Sequence, residues 1–319
     1  MNRSACVAIC RLSAVVCVAV LPALLGPALA QQAEPLAALR AAALAAVNRD
    51  RGAHGLPPLR PSEALNAAAQ AHAADMFRRR YFSHDSPEGH TVGDRYQAQG
   101  GSQWQLVEEN IATCSGCPTP PTDLRVVDFE QGWMESPHHR ENILRHGITS
   151  FGFGIAGGHD RAYGVQTFAG PGTPRNVSSA EPAEALTATE QARAAIRQIN
   201  AARRVANVPP LRVDRGLNTV ARQLVSNNPG QIIDQARMNA FSALTDEGGA
   251  WRKLRLQASR CGGCGVRPTA PDVASLVMDM EQGGARNDLL AADFDSAGFA
   301  MSADGMGMKS AVLLVGRRR

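Results

Sequence analysis

The sequence predicts an α+β fold built twice over. Two observations carry this reading. Aliphatic stripes at helical spacing precede a terminal pair of alternating strands, and residues from 47 onward are repeated from 199 onward. Val47-Asn48 returns as Ile199-Asn200, Pro57-Pro58-Leu59-Arg60 as Pro209-Pro210-Leu211-Arg212, and Leu65-Asn66 as Leu217-Asn218. Further on, Cys114-Ser115-Gly116-Cys117 returns as Cys261-Gly262-Gly263-Cys264, and Ser150-Phe151-Gly152-Phe153 as Ser296-Ala297-Gly298-Phe299.

Each element has a local reason. Leu36, Leu39, Ala43 and Val47 share one helical face, and Gly55, Pro57 and Pro58 stop that helix. Ser62 is placed to cap a second helix, with Glu63 in its first turn and Leu65, Ala69, His72 and Met76 as its buried stripe. A third helix is expected from about Asp123 to Trp133, ended by Pro137. Phe151 to Ala156 and Ala162 to Phe168 alternate as strands around Gly157-Gly158-His159-Asp160, which is hairpin chemistry. In the second copy Thr187 and Glu190 read as a capping box, the helix through Ile196 and Ile199 ends before Pro209, and Ser302-Ala303-Asp304-Gly305 stands where the hairpin turn belongs.

The chain is long enough, at 319 residues, for two ordinary domains with their own cores, so a miniprotein is excluded. With 44% apolar and 19% charged residues it is globular, and with 5% aromatics its cores must be aliphatic. The formal charge of +4 includes Arg3 and Arg11. These belong to an expected export signal over residues 1–30: a basic start, an apolar run from Leu12 to Leu25, and Ala28-Leu29-Ala30 as the cleavage site. Pro22, Gly26 and Pro27 break that run before it reaches the length of a membrane span, so no transmembrane segment is expected in the mature protein. The remaining charge is too small to point to nucleic acid. The expected organisation is a signal over 1–30, a first domain over 31–172, a Gly/Pro/Ser linker over 173–186, and a second domain over 187–319, exported to the periplasm or the medium.

All eight histidines lie in the first copy. In alignment, His84 faces Ala243, His139 faces Ala285, and Glu109-Asn110 faces Leu256-Gln257. The second copy therefore replaces a set of polar groups by apolar or uncharged ones, as expected if a site is kept in the first copy and dispensed with in the second. Outside the signal the cysteines are Cys114, Cys117, Cys261 and Cys264. A Cys-x-x-Cys pair can be a redox motif, half a zinc site or a short disulfide. Both pairs precede Pro-rich loops, and one loop-stapling disulfide per copy is the economical reading for an exported protein.

The ordered set Tyr81-Phe82-Ser83-His84, Glu108-Glu109-Asn110-Ile111-Ala112, Trp133 through Leu144 with Pro137-His138-His139-Arg140, and Phe151-Gly152-Phe153-Gly154 resembles the bacterial branch of the CAP superfamily, or SCP domain. The resemblance spans about residues 36–170, and the second copy shares it only through the repeat. It implies an α-β-α sandwich per copy, with a shallow cleft lined by His84, Glu109 and His139. In many relatives a further glutamate stands three residues past the helix tryptophan. Here Ser136 holds that place, with Glu135 one step earlier, and Glu130 on the same helix is expected to face solvent.

Two imidazoles and a carboxylate could form a zinc first shell with an open position, or a metal-free acid/base cluster, or a structural network that organises the loops. The chain lacks a His-Glu-x-x-His helix. No Gly-x-Ser-x-Gly elbow surrounds Ser83 or Ser136, so Ser83 reads as a turn residue. His138 should point away from His139, and His72 reads as a core histidine. The resemblance implies a binding module for a lipid or small apolar ligand, an envelope component or a protein partner. The alternative is a zinc-assisted hydrolase or protease that uses the same three residues.

Overall fold

A computed structural model describes residues 26–175, 177, 184–228, 231–242, 244 and 249–319. The export signal up to position 25, much of the linker and the Ala243 counterpart of His84 lie outside the described residues. Residues Ala38–Arg319 form one compact unit.

The first half runs α1 (Gly26–Ala53), β1 (Arg60–Pro61), α2 (Glu63–Arg79), α3 (Val92–Ala98), β2 (Leu106–Ser115), α4 (Asp123–Glu135), α5 (Pro137–Ile143), β3 (Ser150–Gly158) and β4 (Arg161–Gly170). The second half runs α6 (Ala188–Val205), β5 (Arg212–Val213), α7 (Arg215–Leu224), α8 (Met238–Ser242), β6 (Trp251–Cys261), α9 (Ala270–Met280), α10 (Arg286–Leu289), β7 (Ser296–Ala303) and β8 (Lys309–Arg318). The fold class is α+β, with two four-stranded sheets. Their strand orders are β1-β3-β4-β2 and β5-β7-β8-β6, and in each the short first strand is parallel to its neighbour while the rest are antiparallel.

The local signals explain the elements. Ser62 Oγ accepts the Leu65 N–H at the start of α2, and Thr187 and Glu190 close the capping box of α6. At the β3-β4 turn His159 and Asp160 have φ of 50° and 59°, the pair of left-handed residues that a two-residue hairpin with the right twist requires. In the second hairpin Asp304 Oδ1 instead accepts the Met306 and Met308 N–H groups. Pro137 does end the path of α4, and it also opens α5 at the first helical position, where its missing N–H costs nothing.

Each sheet is covered on both faces, which is why β4 and β8 are buried almost throughout. In β4, Tyr163, Val165 and Thr167 face α2, while Gly164 and Gln166 face α4. In β8, Val312 and Leu314 join the cluster beneath α7, and Ala311, Leu313 and Val315 join that with α6 and α9. Two glycines set the helix-to-sheet spacing. A Cβ on Gly152 would stand 2.2 Å from the carbonyl carbon of Leu65, and one on Gly298 2.3 Å from that of Leu217.

The polar anchors of the two halves correspond. Asn48 and Leu59 exchange two hydrogen bonds, as do Asn200 and Leu211. Asn66 Oδ1 accepts the Phe153 N–H, and Asn218 Oδ1 the Phe299 N–H. Buried Arg51 donates to the carbonyls of Pro57, Ile143 and Arg145, and buried Arg203 to those of Pro209, Leu289, Ala291 and Phe294. Disulfides join Cys114 to Cys117 and Cys261 to Cys264, the pairing expected from the repeat. The loops of the halves interlock: Gly263 N–H donates to Trp104 O at 2.7 Å, and the Arg260 guanidinium lies 4.4 Å from the Trp104 ring centroid.

Candidate functional site

Successive residues of a strand point to opposite faces, and this divides the work of Glu109 and Asn110 on β2. Glu109, opposite Thr167, turns toward α2 and α3. Asn110, opposite Gln166, turns toward α4 and α5.

The Glu109 side chain is 2% exposed and both its oxygens are engaged. Oε1 accepts from His84 Nδ1 at 2.9 Å, and Oε2 accepts from Arg95 Nη2 at 2.7 Å. Arg95 comes from α3, only 12% exposed, and is also held by the His90 carbonyl at 2.8 Å. His84 comes from the loop after α2, and its imidazole is 54% exposed. Its bond to Glu109 holds its pKa above the usual histidine range, against the opposing pull of burial. With Nδ1–H given to the carboxylate, Nε2 is the ring nitrogen left to face a ligand.

His72 takes part as well. Its Nε2–H donates to the Ser83 carbonyl at 2.9 Å and stands 4.0 Å from Glu109 Oε1. Burial pushes its pKa below the usual range, so this imidazole is neutral. It is the buried core histidine expected from the α2 stripe, and it also fixes the backbone one residue before His84. Tyr81 O–H lies 3.4 Å from His72 Nδ1 and donates to Asp75 at 2.9 Å, and burial together with that bond lifts its pKa to about 12.

His139 reaches the site from α5. Its imidazole is half-buried, and burial, then the neighbouring charge of His84, hold its pKa below the usual range. Its carbonyl accepts from Asn110 Nδ2 at 3.1 Å, and Asn142 Nδ2 donates to Asn110 Oδ1 at 3.0 Å and to Glu109 O at 3.2 Å. These bonds clamp α5 to β2. His138 is exposed.

The expectation that Glu130 faces solvent is corrected. It is 1% exposed, and its Oε2 accepts from Gln166 Nε2, while Gln166 Oε1 accepts from Asn110 Nδ2 at 3.2 Å. Glu130 precedes Trp133 by three positions and so shares its inward face; Trp133 donates Nε1–H to Ile111 O. That spacing was the available signal. For Arg95 the sequence offered none.

The donor set is a poor fit to zinc as arranged. A metal on Glu109 would have to displace either His84 or the charged Arg95, and among the described residues no three His, Cys, Asp or Glu side chains stand together as a metal site needs. Of the two serines considered as nucleophiles, Ser83 Oγ accepts the Asp85 N–H, a turn contact, and Ser136 stands at the N-cap position of α5 without a side-chain capping bond. The arrangement can hold and donate protons at an exposed imidazole and offer hydrogen bonds to a ligand. In the second half the equivalent register places Leu256 opposite Leu314, where Glu109 lies opposite Thr167, and Leu313 opposite Phe299, where Gln166 lies opposite Phe153.

Residues 44–169 match the model of the family described as CAP, the Cysteine-rich secretory protein family. The chain is 36% identical over 107 residues to the uncharacterized protein YkwD of Bacillus subtilis (strain 168), a match that covers 34% of this chain and 38% of that one. It is 31% identical over 118 residues to the uncharacterized membrane protein YlbC of the same organism, covering 36% and 30%. It thus spans well under half the length of both relatives. Among solved structures, an extracellular protein containing a SCP domain from Bacillus anthracis str. Ames is 33% identical, with a TM-score of 0.34 over 41% of this chain and 40% of that one. The stretch that carries His84, Glu109 and His139 lies within the residues matched by that family's model. Among the described residues no helix is long and apolar enough to cross a membrane.

Proposed function

We propose that the chain is an exported binding protein whose first domain takes up an apolar or lipid-like ligand beside the His84, Glu109 and His139 cleft. The observation that carries this reading is the division of exposure within one loop. Glu109 is buried with both oxygens engaged, whereas the groups left open are the His84 imidazole and, two residues away, the Phe82 ring, which is 50% exposed. A half-exposed aromatic against Tyr163, with ring centroids 6.4 Å apart, next to one orienting imidazole suits an apolar body with a polar end. Hydrolysis would have to run through the same exposed imidazole acting as general base on a water, and that is the alternative reading.

The second half, on this reading, is a duplicate that kept the architecture and lost the cleft. Its support is the common strand order, the matched Arg51/Arg203, Asn48/Asn200 and Asn66/Asn218 anchors, and Leu256 at the Glu109 position. Export, a signal over 1–30 and domains over 31–172 and 187–319 are part of the same proposal. They rest on the basic-then-apolar start of the sequence and on the one disulfide per half.

The test is a titration of the full chain with a fluorescent fatty acid, wild type beside Phe82→Ser and His84→Ala. Saturable binding weakened by both substitutions, with unchanged far-UV circular dichroism, is the expected result. An unaltered affinity in both variants would move the site elsewhere, and no binding at all would remove the apolar-ligand reading.

A further inference from the structure

The second half carries a cavity that the cleft does not explain. It measures about 590 Å³ and opens between α6 and α7, with Arg193 from α6 and Arg215 and Arg222 from α7 on its walls, together with Asn218 and Thr219. All three arginines are exposed, and among the described residues none forms an ion pair. The nearest carboxylates in sequence are already committed. Asp214 pairs with Arg318 and caps α7 through the Leu217 N–H, and Glu190 closes its own capping box on Thr187. Three guanidinium groups therefore line one cavity with no ion pair among the described residues, and the one carboxylate that feels them, Glu190 beside Arg193, is held mainly by its own bonds to Thr187.

The donors are oriented. Thr219 Oγ1 donates to Arg215 O at 3.0 Å and accepts from Arg222 Nη2 at 3.0 Å, which fixes Arg222 on the wall. Asn218 spends its Oδ1 on the Phe299 N–H, so its amide NH₂ is the end that can meet a ligand. The first half has no counterpart. Through the interval that relates Asn48 to Asn200 and Asn66 to Asn218, the arginine positions correspond to Ala41, Glu63 and Gln70, and Gln70 is tied to the Ile155 backbone. The half that lacks the acid/base cleft is the half that carries the cationic cavity.

We propose that this cavity binds a phosphate ester of the glycerophosphate class. One guanidinium fork satisfies a carboxylate, whereas three forks around one space match the three terminal oxygens and double charge of a phosphate. The cavity is of small-molecule size rather than that of a bare ion, and the amide and hydroxyl donors suit a hydroxylated body.

The experiment uses the full chain and two probes, sn-glycerol 3-phosphate by titration calorimetry and phosphatidylglycerol vesicles by flotation, with phosphatidylcholine vesicles as the neutral control. Arg193→Gln/Arg215→Gln/Arg222→Gln is compared with Arg204→Gln/Arg267→Gln/Arg286→Gln, which removes the same charge from exposed positions away from the cavity; single Arg193→Gln serves if the first triple variant fails to fold. Saturable binding that weakens about tenfold or more in the cavity variant alone supports the proposal. Binding of the soluble probe assigns a free phosphate ester, and binding of the vesicles alone a lipid-borne one. Equal weakening in both triple variants would reduce the effect to net charge and overturn the proposal, as would no binding of either probe.

Discussion

Gln166 donates its Nε2–H to Oε2 of Glu130, so that a buried carboxyl group stands behind Asn110 on the face of β2 opposite Glu109. From Gln166 the path runs to Asn110, and from Asn110 to the His139 carbonyl and to Asn142, which holds the Glu109 backbone. The other oxygen of Glu130 has no donor among the described residues. Burial, then Asp50 on α1, outweigh Gln166 and Arg49 and lift its pKa to about 8. At neutral pH Glu130 is an uncharged acid, and its own proton can serve the Asp50 side.

This fixes a pH dependence. A carboxyl group whose folded pKa is raised contributes stability that is full below its unfolded value and is lost as pH rises toward the folded one. Between about pH 4.5 and pH 8 the urea midpoint of the wild type should fall, with a slope of up to about 1 kcal/mol per pH unit from this residue, and then level off. Glu130→Gln keeps an acceptor for Gln166 and removes the proton. Its unfolding curves at pH 5, 7 and 9 should show a shallower slope, and an identical slope in the two proteins would refute the assignment.

Glu109 sets the protonation of His84. Replacing it by Gln removes the carboxylate that holds the His84 pKa up and leaves Arg95 as an unpaired neighbouring cation. In an NMR titration the His84 Cε1–H resonance should titrate above the usual histidine value in the wild type and below the wild-type value in Glu109→Gln. The same substitution leaves the mostly buried Arg95 without its partner and should cost about 3 kcal/mol in chemical denaturation. A variant with unchanged stability would mean that Arg95 is solvated in the native state.

Zinc offers a separate check. Because Arg95 and His84 already occupy both oxygens of Glu109, titration calorimetry with Zn²⁺ at pH 7.5 should show no stoichiometric site that depends on His84 and His139. If stoichiometric binding appears and vanishes in His84→Ala/His139→Ala, the cleft must rearrange to admit a metal, and the hydrolase reading returns.

The legible parts of this protein are those with a local chemical reason. Ser62, Thr187, the His159-Asp160 turn and both Cys-x-x-Cys pairs announce caps, a hairpin and staples within a few residues of themselves. His84 and Glu109 were legible through motif and through their loss from the second copy, and they do meet. What escaped depends on packing across the sheet. Arg95 is an exposed-looking residue of a short helix until the fold sets it against β2, and Glu130 reads as surface until its face is counted from Trp133. Arg51 and Arg203 were likewise silent, because most of their carbonyl partners lie some ninety positions away and only Pro57 and Pro209 are near in sequence.

Those two arginines give the final prediction. Each is buried with no ion pair among the described residues and spends its guanidinium on backbone carbonyls at the end of the α5 or α10 region, so each ties the first helix of its half to the segment before the third strand. Burial lowers both pKa values, yet an arginine remains charged, so the carbonyl dipoles are what holds the charge. Arg51→Met and Arg203→Met keep much of the volume and leave two or more carbonyls unpaired, at a cost of about 3 kcal/mol each. Because Trp104 is bonded to Gly263 and stacked on Arg260, and Pro171 O accepts from Gly265, the halves should unfold together. Differential scanning calorimetry should then show either variant lowering one shared transition. Two transitions, with Arg51→Met moving only the first and Arg203→Met only the second, would show instead that each half folds alone and that the interlocked loops contribute little.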